Sequence, residues 1–238
     1  MIIFFEDYTN YHLNKVDEAY WRYVVAGHGF GNAEEQFYTN RLDNLFIDKD
    51  GLHIVAKKEE YMGRHYTSAR ITLNKLFKYG KVSFKIKLPK NKGTWPAIWL
   101  LSEDIIYRHN WPECGEIDIM EFIGKMPGKI HTSLHCKKYN HLLGNHRTKV
   151  IDINDEEFHE FVYYWTKDGF SIDIDGNHYD LFKRSDVDDY ESWPFDQKYF
   201  LIMNMAVGGY FPGAVDPNFS QDEFIVKYLK IETIKDKL

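Results

Sequence analysis

The chain has 238 residues, 17% of them aromatic, and a formal net charge of −6 from 30 Lys and Arg against 36 Asp and Glu. That length suits one all-β sandwich, which routinely takes about 200–250 residues, and the acidic balance offers no basic field to nucleic acid or an anionic membrane. No apolar run approaches the roughly 18 residues that a membrane-spanning helix needs, and the two cysteines, Cys114 and Cys136, are too few for a disulfide framework.

In chain order, the opening Met1-Ile2-Ile3-Phe4-Phe5 meets Glu6 and Asp7 too early for a signal-peptide core. Either the sequence starts at a mature domain or the protein stays in the cell, so the compartment is left open. Helical pattern is scarce, and residues 16–23 and 186–192 each predict no more than a turn or two. Asp50-Gly51, Asp168-Gly169 and Asp175-Gly176 are turn signals between strand-like runs, among them residues 161–165 and 170–175. The clearest strand is 81–88, where Val82, Phe84, Ile86 and Leu88 alternate with Lys81, Ser83, Lys85 and Lys87. Many short strands with turn punctuation predict a sandwich or barrel. With no repeat, low-complexity tract or linker, the whole of 1–238 reads as a single domain, with both cysteines as free, buried thiols.

The hexapeptide Glu116-Ile117-Asp118-Ile119-Met120-Glu121 sets three carboxylates in an apolar stretch where isolated charges are costly to bury. In a regular strand Glu116 and Asp118 share a face and Glu121 points to the other. A β-bulge around Ile119-Met120, with Met120 as the expected extra residue, shifts the register by one residue and returns Glu121 to the face of the other two. Two carboxylates flanking a bond are the equipment of glycoside hydrolysis. On a straight bulged strand Glu116 and Glu121 lie on the order of 13 Å apart at Cα, so a curved sheet is needed to bring their carboxyls together. By itself the hexapeptide fits equally a solvated strand face or a calcium site built from oxygen ligands.

The surrounding motifs decide between these. They are GHGFGNAEEQFYTNRLDN from Gly27, YTSARI from Tyr66, FKYGKVSFKIKLPKNKGTWPAIWLL from Phe77, WPECGEIDIMEFIG from Trp111 and NMAVGGYFPG from Asn204. In this order, and almost end to end, the chain resembles glycoside hydrolase family 16, in its bulged branch of endo-β-1,3-glucanases and mixed-linkage β-glucanases. The resemblance implies a jelly roll with a concave, substrate-holding sheet. It also implies Glu116 as nucleophile, Asp118 as its assistant, Glu121 as acid/base, a retaining mechanism and no cofactor. Three other readings on this fold are a non-catalytic β-glucan-binding module, whose relatives typically lack a catalytic Glu, a transglycosylase, whose acidic motif is shorter, and an agarase- or carrageenase-type enzyme.

A glycan offers apolar C–H faces and a ring of hydroxyls, so its cleft needs aromatic planes with amide and guanidinium donors. Trp111 and Trp95 are the expected platforms, with Trp99 supporting them and Trp165 in the core. Arg70 has a planar fork of donors suited to vicinal hydroxyls, though a salt bridge to a catalytic acid is its structural alternative. The resemblance places Asn32 against sugar on the non-reducing side, although Ala33 and Glu35 depart from the family pattern. Asn204 either meets the leaving-side sugar or ties strands together. His131 and His135 lie in a strand-like run rather than on a helix, which argues against zinc, and His135 is expected to bond substrate or Glu121. Where relatives carry a calcium-binding Asp in the last strand this chain has Lys227, which has no acceptor. No metal is therefore expected there, and the ammonium is expected to turn to the vacated backbone carbonyls. The anticipated partner is a neutral polysaccharide, met by a monomer, with no nucleic acid and no membrane.

Overall fold

The computed structural model describes residues 1–108 and 110–234. The strand Gly80–Lys87 shows how the larger sheet forms. Its Val82, Phe84 and Ile86 are fully buried, and Phe84 stacks on Phe161 of the neighbouring strand at 5.1 Å and 12°. Each such side chain contributes about 1.5–3 kcal/mol on leaving water, so one-residue slips in register are strongly disfavoured. Asn177–Lys183, Gly169–Ile174, His159–Thr166, Gly80–Lys87, Gln221–Glu232, Gly51–Tyr61, Arg64–Ser68 and Gln36–Tyr38 lie side by side in this sheet. Ile2–Asp7 pairs with Gln221–Glu232, and Leu45–Asp48 with Gly51–Tyr61. At the Asp175-Gly176 turn both residues have positive φ, 50° and 81°, the conformation that lets a two-residue hairpin match strand twist.

The second sheet runs in the order Arg147–Asp152, Lys129–His135, Glu116–Phe122, Thr94–Ser102, Tyr199–Val207, Arg70–Leu73 and Trp21–Tyr23. Its inner face meets the first sheet in one continuous core, which includes Ile98, Leu100, Ile117, Ile130, Leu134, Leu201 and Met203. The expected all-β jelly-roll sandwich is the fold observed. Its outer face carries a smaller apolar cluster of Leu101, Cys114, Phe200 and Ile202 beneath Trp99 and Trp111. Cys114 and Cys136 are buried and unbridged.

Two local expectations are sharpened and one needs correction. Residues 16–23 make one turn, closed by the Asp17 carbonyl, and then become the strand Trp21–Tyr23. Pairing with Arg70–Leu73 and the bond from Trp21 Nε1 to Glu6, 2.8 Å, outweigh local helical preference. Residues 186–192 make separate turns, because Asp188 and Asp189 take up backbone N–H groups of Ser185 and Ser192 at 2.8 and 3.0 Å, competing with helical bonding. Lys227 is the extra residue in a register shift between Val226 and Tyr228, and its ammonium lies 4.2 Å from the ring centroid of Phe158 rather than on backbone carbonyls. A ring face within about 6 Å attracts a cation, and here it replaces the anticipated contact.

Candidate active site

The strand Glu116–Phe122 departs from alternation at one point. Against Thr94–Ser102, Asp118 faces Trp99 and Met120 faces Ile98, so Ile119 is the unmatched residue. Against Lys129–His135, three steps from Asp118 to Glu121 answer two from Ser133 to His131. The bulge lies where the acidic pattern places it, with Ile119 rather than Met120 as the insertion. Ile117, Ile119, Met120 and Phe122 all point into the core, and the consecutive burial of Ile119 and Met120 holds the strand in this register. Glu116, Asp118 and Glu121 consequently line one cleft.

That cleft crosses the sheet. One part, of about 520 Å³, runs towards Arg70, Trp99 and Asn204, and the other, of about 430 Å³, towards His131, His146 and Phe211. The three acids, Trp95, Asn32 and His141 belong to both. Gly115, with φ of 88°, leads the chain into Glu116 where a Cβ would come within 2.2 Å of the Tyr199 hydroxyl. Gly209, also at positive φ, passes so close to the Asn32 carbonyl that a Cβ would lie 2.4 Å from it. This approach lets Tyr210 N donate to Asn32 O at 2.8 Å and fixes the Asn32 loop at the cleft.

The acids are electrically coupled. Burial first, and then the neighbouring Asp118 charge, push Glu116 up to about 8, while His135, Arg70 and Trp111 favour its ionised form. Burial, Asp118 and Glu116 raise Glu121 well above the carboxylate range, against His135 and the Trp95 indole, whose Nε1 donates to Glu121 Oε1 at 3.0 Å. Burial works against a charged His135, but its bond to Asp118 and the field of three carboxylates outweigh that and raise it to about 9. The Nε2 of His135 lies 3.2 Å from Asp118 Oδ2 and 4.0 Å from Glu116 Oε1. The anticipated bond from His135 to Glu121 is therefore replaced: His135 pairs with Asp118, and Trp95 meets Glu121. Among the described residues Glu116, Asp118 and His135 also form the grouping whose ligand atoms, within 4.8 Å of one another, have the chemistry to hold a cation.

Arg70 is sandwiched between Phe30 and Trp99, at 5.2 and 4.9 Å from their ring centroids, and faces the cleft with no carboxylate in salt-bridge contact among the described residues. Asn204 pairs with Arg70 in register, accepts from Trp99 Nε1 at 2.8 Å and donates to the Tyr38 hydroxyl at 3.2 Å. It thus belongs to the Arg70 wall and ties strands together, one of the two roles expected of it. Trp111 borders the cleft beside His141, ring centroids 5.1 Å apart. Trp165 is fully buried, as expected. His131 lies on the same strand face as His135 and packs edge-on to Phe211 at 5.5 Å; burial keeps it neutral by lowering its pKa.

Sequence reasoning missed Glu34, His141, His146, Tyr210 and Phe211. His146 stacks on His135 at 5.2 Å and 10°, a contact across the connection between the paired strands Lys129–His135 and Arg147–Asp152 that no periodicity signals. The signal for Glu34 was available: an acid two residues before Gln36 and four before Tyr38, both of which bond its carboxylate.

A family model for the glycosyl hydrolases family 16 matches residues 32–230. The chain is 40% identical over 227 residues to a β-glucanase of Rhodothermus marinus, spanning 90% of this chain and 79% of that protein. It is 31% identical over 230 residues to a glucan endo-1,3-β-glucosidase of Cryptopygus antarcticus, spanning 88% of this chain and 85% of that one. The X-ray structure of the laminarinase from Rhodothermus marinus superposes with a TM-score of 0.91 at 36% identity, over 98% of both chains. Fold and sequence agree, and the chain belongs to the glycosyl hydrolases of family 16.

Proposed function

We propose that residues 1–238 form the catalytic domain of a retaining endo-β-glucanase that cleaves β-1,3-glucan of the laminarin type, or mixed-linkage β-1,3-1,4-glucan, by double displacement. The bulge at Ile119 carries this reading, because it puts two glutamates from one strand on the same wall of a cleft. Glu116 is the nucleophile. Its ionised form, which Arg70 and His135 favour against the burial that raises the group to about 8, attacks the anomeric carbon to form a glycosyl ester. Glu121, whose carboxyl is raised well above the usual carboxylate range by burial and the neighbouring acids, gives its proton to the departing glycosidic oxygen. The charge on Glu116 is one cause of the raised Glu121. Esterification removes that charge, lowers the affinity of Glu121 for its proton, and prepares it to act as base on the water that releases the sugar. Asp118 holds the His135 imidazolium beside both glutamates.

Trp95, Trp111, Arg70, Asn32, His135 and Asn204 make the binding surface, directly or through the groups they hold. The cleft extends to both sides of the acids, which suits attack within a chain rather than at its end. The substrate is a neutral polysaccharide, and the enzyme acts as a monomer. Parallel digestion of laminarin, lichenan, agarose and carrageenan tests the assignment. Oligosaccharides from laminarin or lichenan, released first as the β-anomer in proton NMR spectra, are expected; early α-anomer excludes retention, and products from agarose or carrageenan alone exclude a glucanase.

A further inference from the structure

Glu34 is a cleft carboxylate that bond cleavage leaves unused. It is 5% exposed and lines the Arg70 side. Its Oε2 accepts from Gln36 Nε2 at 2.6 Å and from the Tyr38 hydroxyl at 3.2 Å. The other oxygen, Oε1, has no donor among the described residues. Burial raises the Glu34 carboxyl above its usual range in spite of Gln36, the Arg70 charge and Tyr38, as befits a carboxylate whose lone pairs are only half satisfied. Arg70 complements it. Its Nε is buried with no partner, its guanidinium has no salt bridge among the described residues, and each group feels the charge of the other. An unsatisfied acceptor and an unsatisfied donor therefore share one wall beside the aromatic planes of Phe30 and Trp99.

We propose that Glu34 is a specificity-determining residue: with Arg70 it reads a pair of hydroxyls on a neutral sugar ring, Glu34 accepting and Arg70 donating, and its charge rejects rings that carry sulfate or carboxylate. This rests on the glucanase reading and deepens it. A hydroxyl donates to Oε1 and offsets the cost of burying the carboxylate. An anionic substituent gains Arg70 but meets Glu34, with Glu116 and Asp118 lining the same cleft, and leaves Oε1 without a donor. Rejection of the wrong ligand by an unpaired, like-charged group is a general route to selectivity.

The test compares wild type with Glu34→Gln on laminarin and on lightly sulfated laminarin. The variant keeps the shape and an amide for Gln36 and Tyr38 but loses the charge. On neutral laminarin its kcat/KM is expected to fall about tenfold, carried by KM with kcat within about twofold, as befits a lost hydrogen bond to a charged acceptor. The preference for neutral over sulfated substrate should shrink by at least about tenfold. A residue that merely braces Gln36 and Tyr38 would lower both substrates together, and an unchanged preference overturns the proposal, as does an unchanged KM. Should Glu34→Gln melt early, Glu34→Asp retains the charge with a shorter reach: it should raise KM while keeping the preference, and loss of the preference overturns the proposal. If wild type cleaves neither laminarin nor lichenan, the glucanase reading fails instead. Discrimination is then read by calorimetry with neutral and sulfated laminari-oligosaccharides, and equal affinity of wild type for both overturns the role of Glu34.

Discussion

The strands Gly80–Lys87 and Glu116–Phe122 are of similar length and both lie inside a sheet, yet one alternates strictly and the other does not. In the first, Val82, Phe84 and Ile86 go to the core, and the residues between them face away. In the second, Ile119 and Met120 are buried in succession, and the ladder to each neighbour absorbs one extra residue. The regular strand builds stability. The bulged one gives up one pairing position so that three acids stand together at a free-energy cost, since two of them are pushed out of the ordinary carboxylate range. Stability and chemistry should therefore separate when the two strands are altered.

The largest separation is expected for Glu116→Ala. Turnover on laminarin should drop on the order of 10⁴-fold or more, as for loss of a covalent nucleophile, while glucan binding survives and azide yields a glycosyl azide of inverted configuration. Turnover near normal in this variant would remove Glu116 from the mechanism.

Phe84→Ala is the converse. Deleting a fully buried ring stacked on Phe161 should cost about 3–5 kcal/mol in chemical denaturation, with kcat little changed wherever the protein remains folded. A selective loss of kcat would contradict the division of labour between the strands.

Deleting Ile119 should restore strict alternation as Glu-Ile-Asp-Met-Glu, which keeps the three acids on one face but draws Glu121 one residue closer to Glu116 and displaces its carboxyl. A folded protein with kcat/KM reduced by roughly 10²-fold or more is expected, the scale of a misplaced catalytic group. Wild-type rates and products would show that the bulge is dispensable.

The smallest effect is a pH dependence of stability. Glu116 at about 8 and His135 at about 9 both bind protons more tightly in the folded state than in ordinary surroundings. Their contributions are present in full below the unfolded values, about 4.5 and 6.5, and are lost as pH rises through about 8 and about 9. Wild type should therefore melt at progressively lower temperature from pH 5 to 9. Glu116→Gln, which has no proton to lose, should flatten that slope and melt above wild type at pH 9. An unchanged slope in thermal scans would mean that Glu116 is not strained by its neighbours.

How far the site was legible differs from residue to residue. The bulge was, because strand alternation and the cost of burying charge together leave one register in which Glu116, Asp118 and Glu121 share a face. The insertion point was off by one residue, since Ile119 and Met120 are both apolar and only pairing with Ile98 tells them apart. His135 was found, but not its partner. Cross-strand register sets Glu116 opposite His135 and Asp118 opposite Ser133, leaving the imidazole to reach diagonally to Asp118. For Asn204 the sequence left two roles open, and its strand-tying bonds to Trp99 and Tyr38 emerge only in the fold, where its neighbour across the strands, Arg70, is 134 positions away in sequence. The short helix Asp104–Arg108 carried no pattern that local reading detected.

The amino-acid sequence alone determined the all-β class, the alternating core strands and the three acids, because these depend on periods of two and on the energetics of neighbours along one chain. Tertiary structure decided which donor each acid receives, from Trp95 to Glu121 and from His135 to Asp118, and how the Asn32 loop seats against Gly209. Those contacts join segments tens of residues apart, and they exist only once the sheet has set its register and the loops have closed over its outer face.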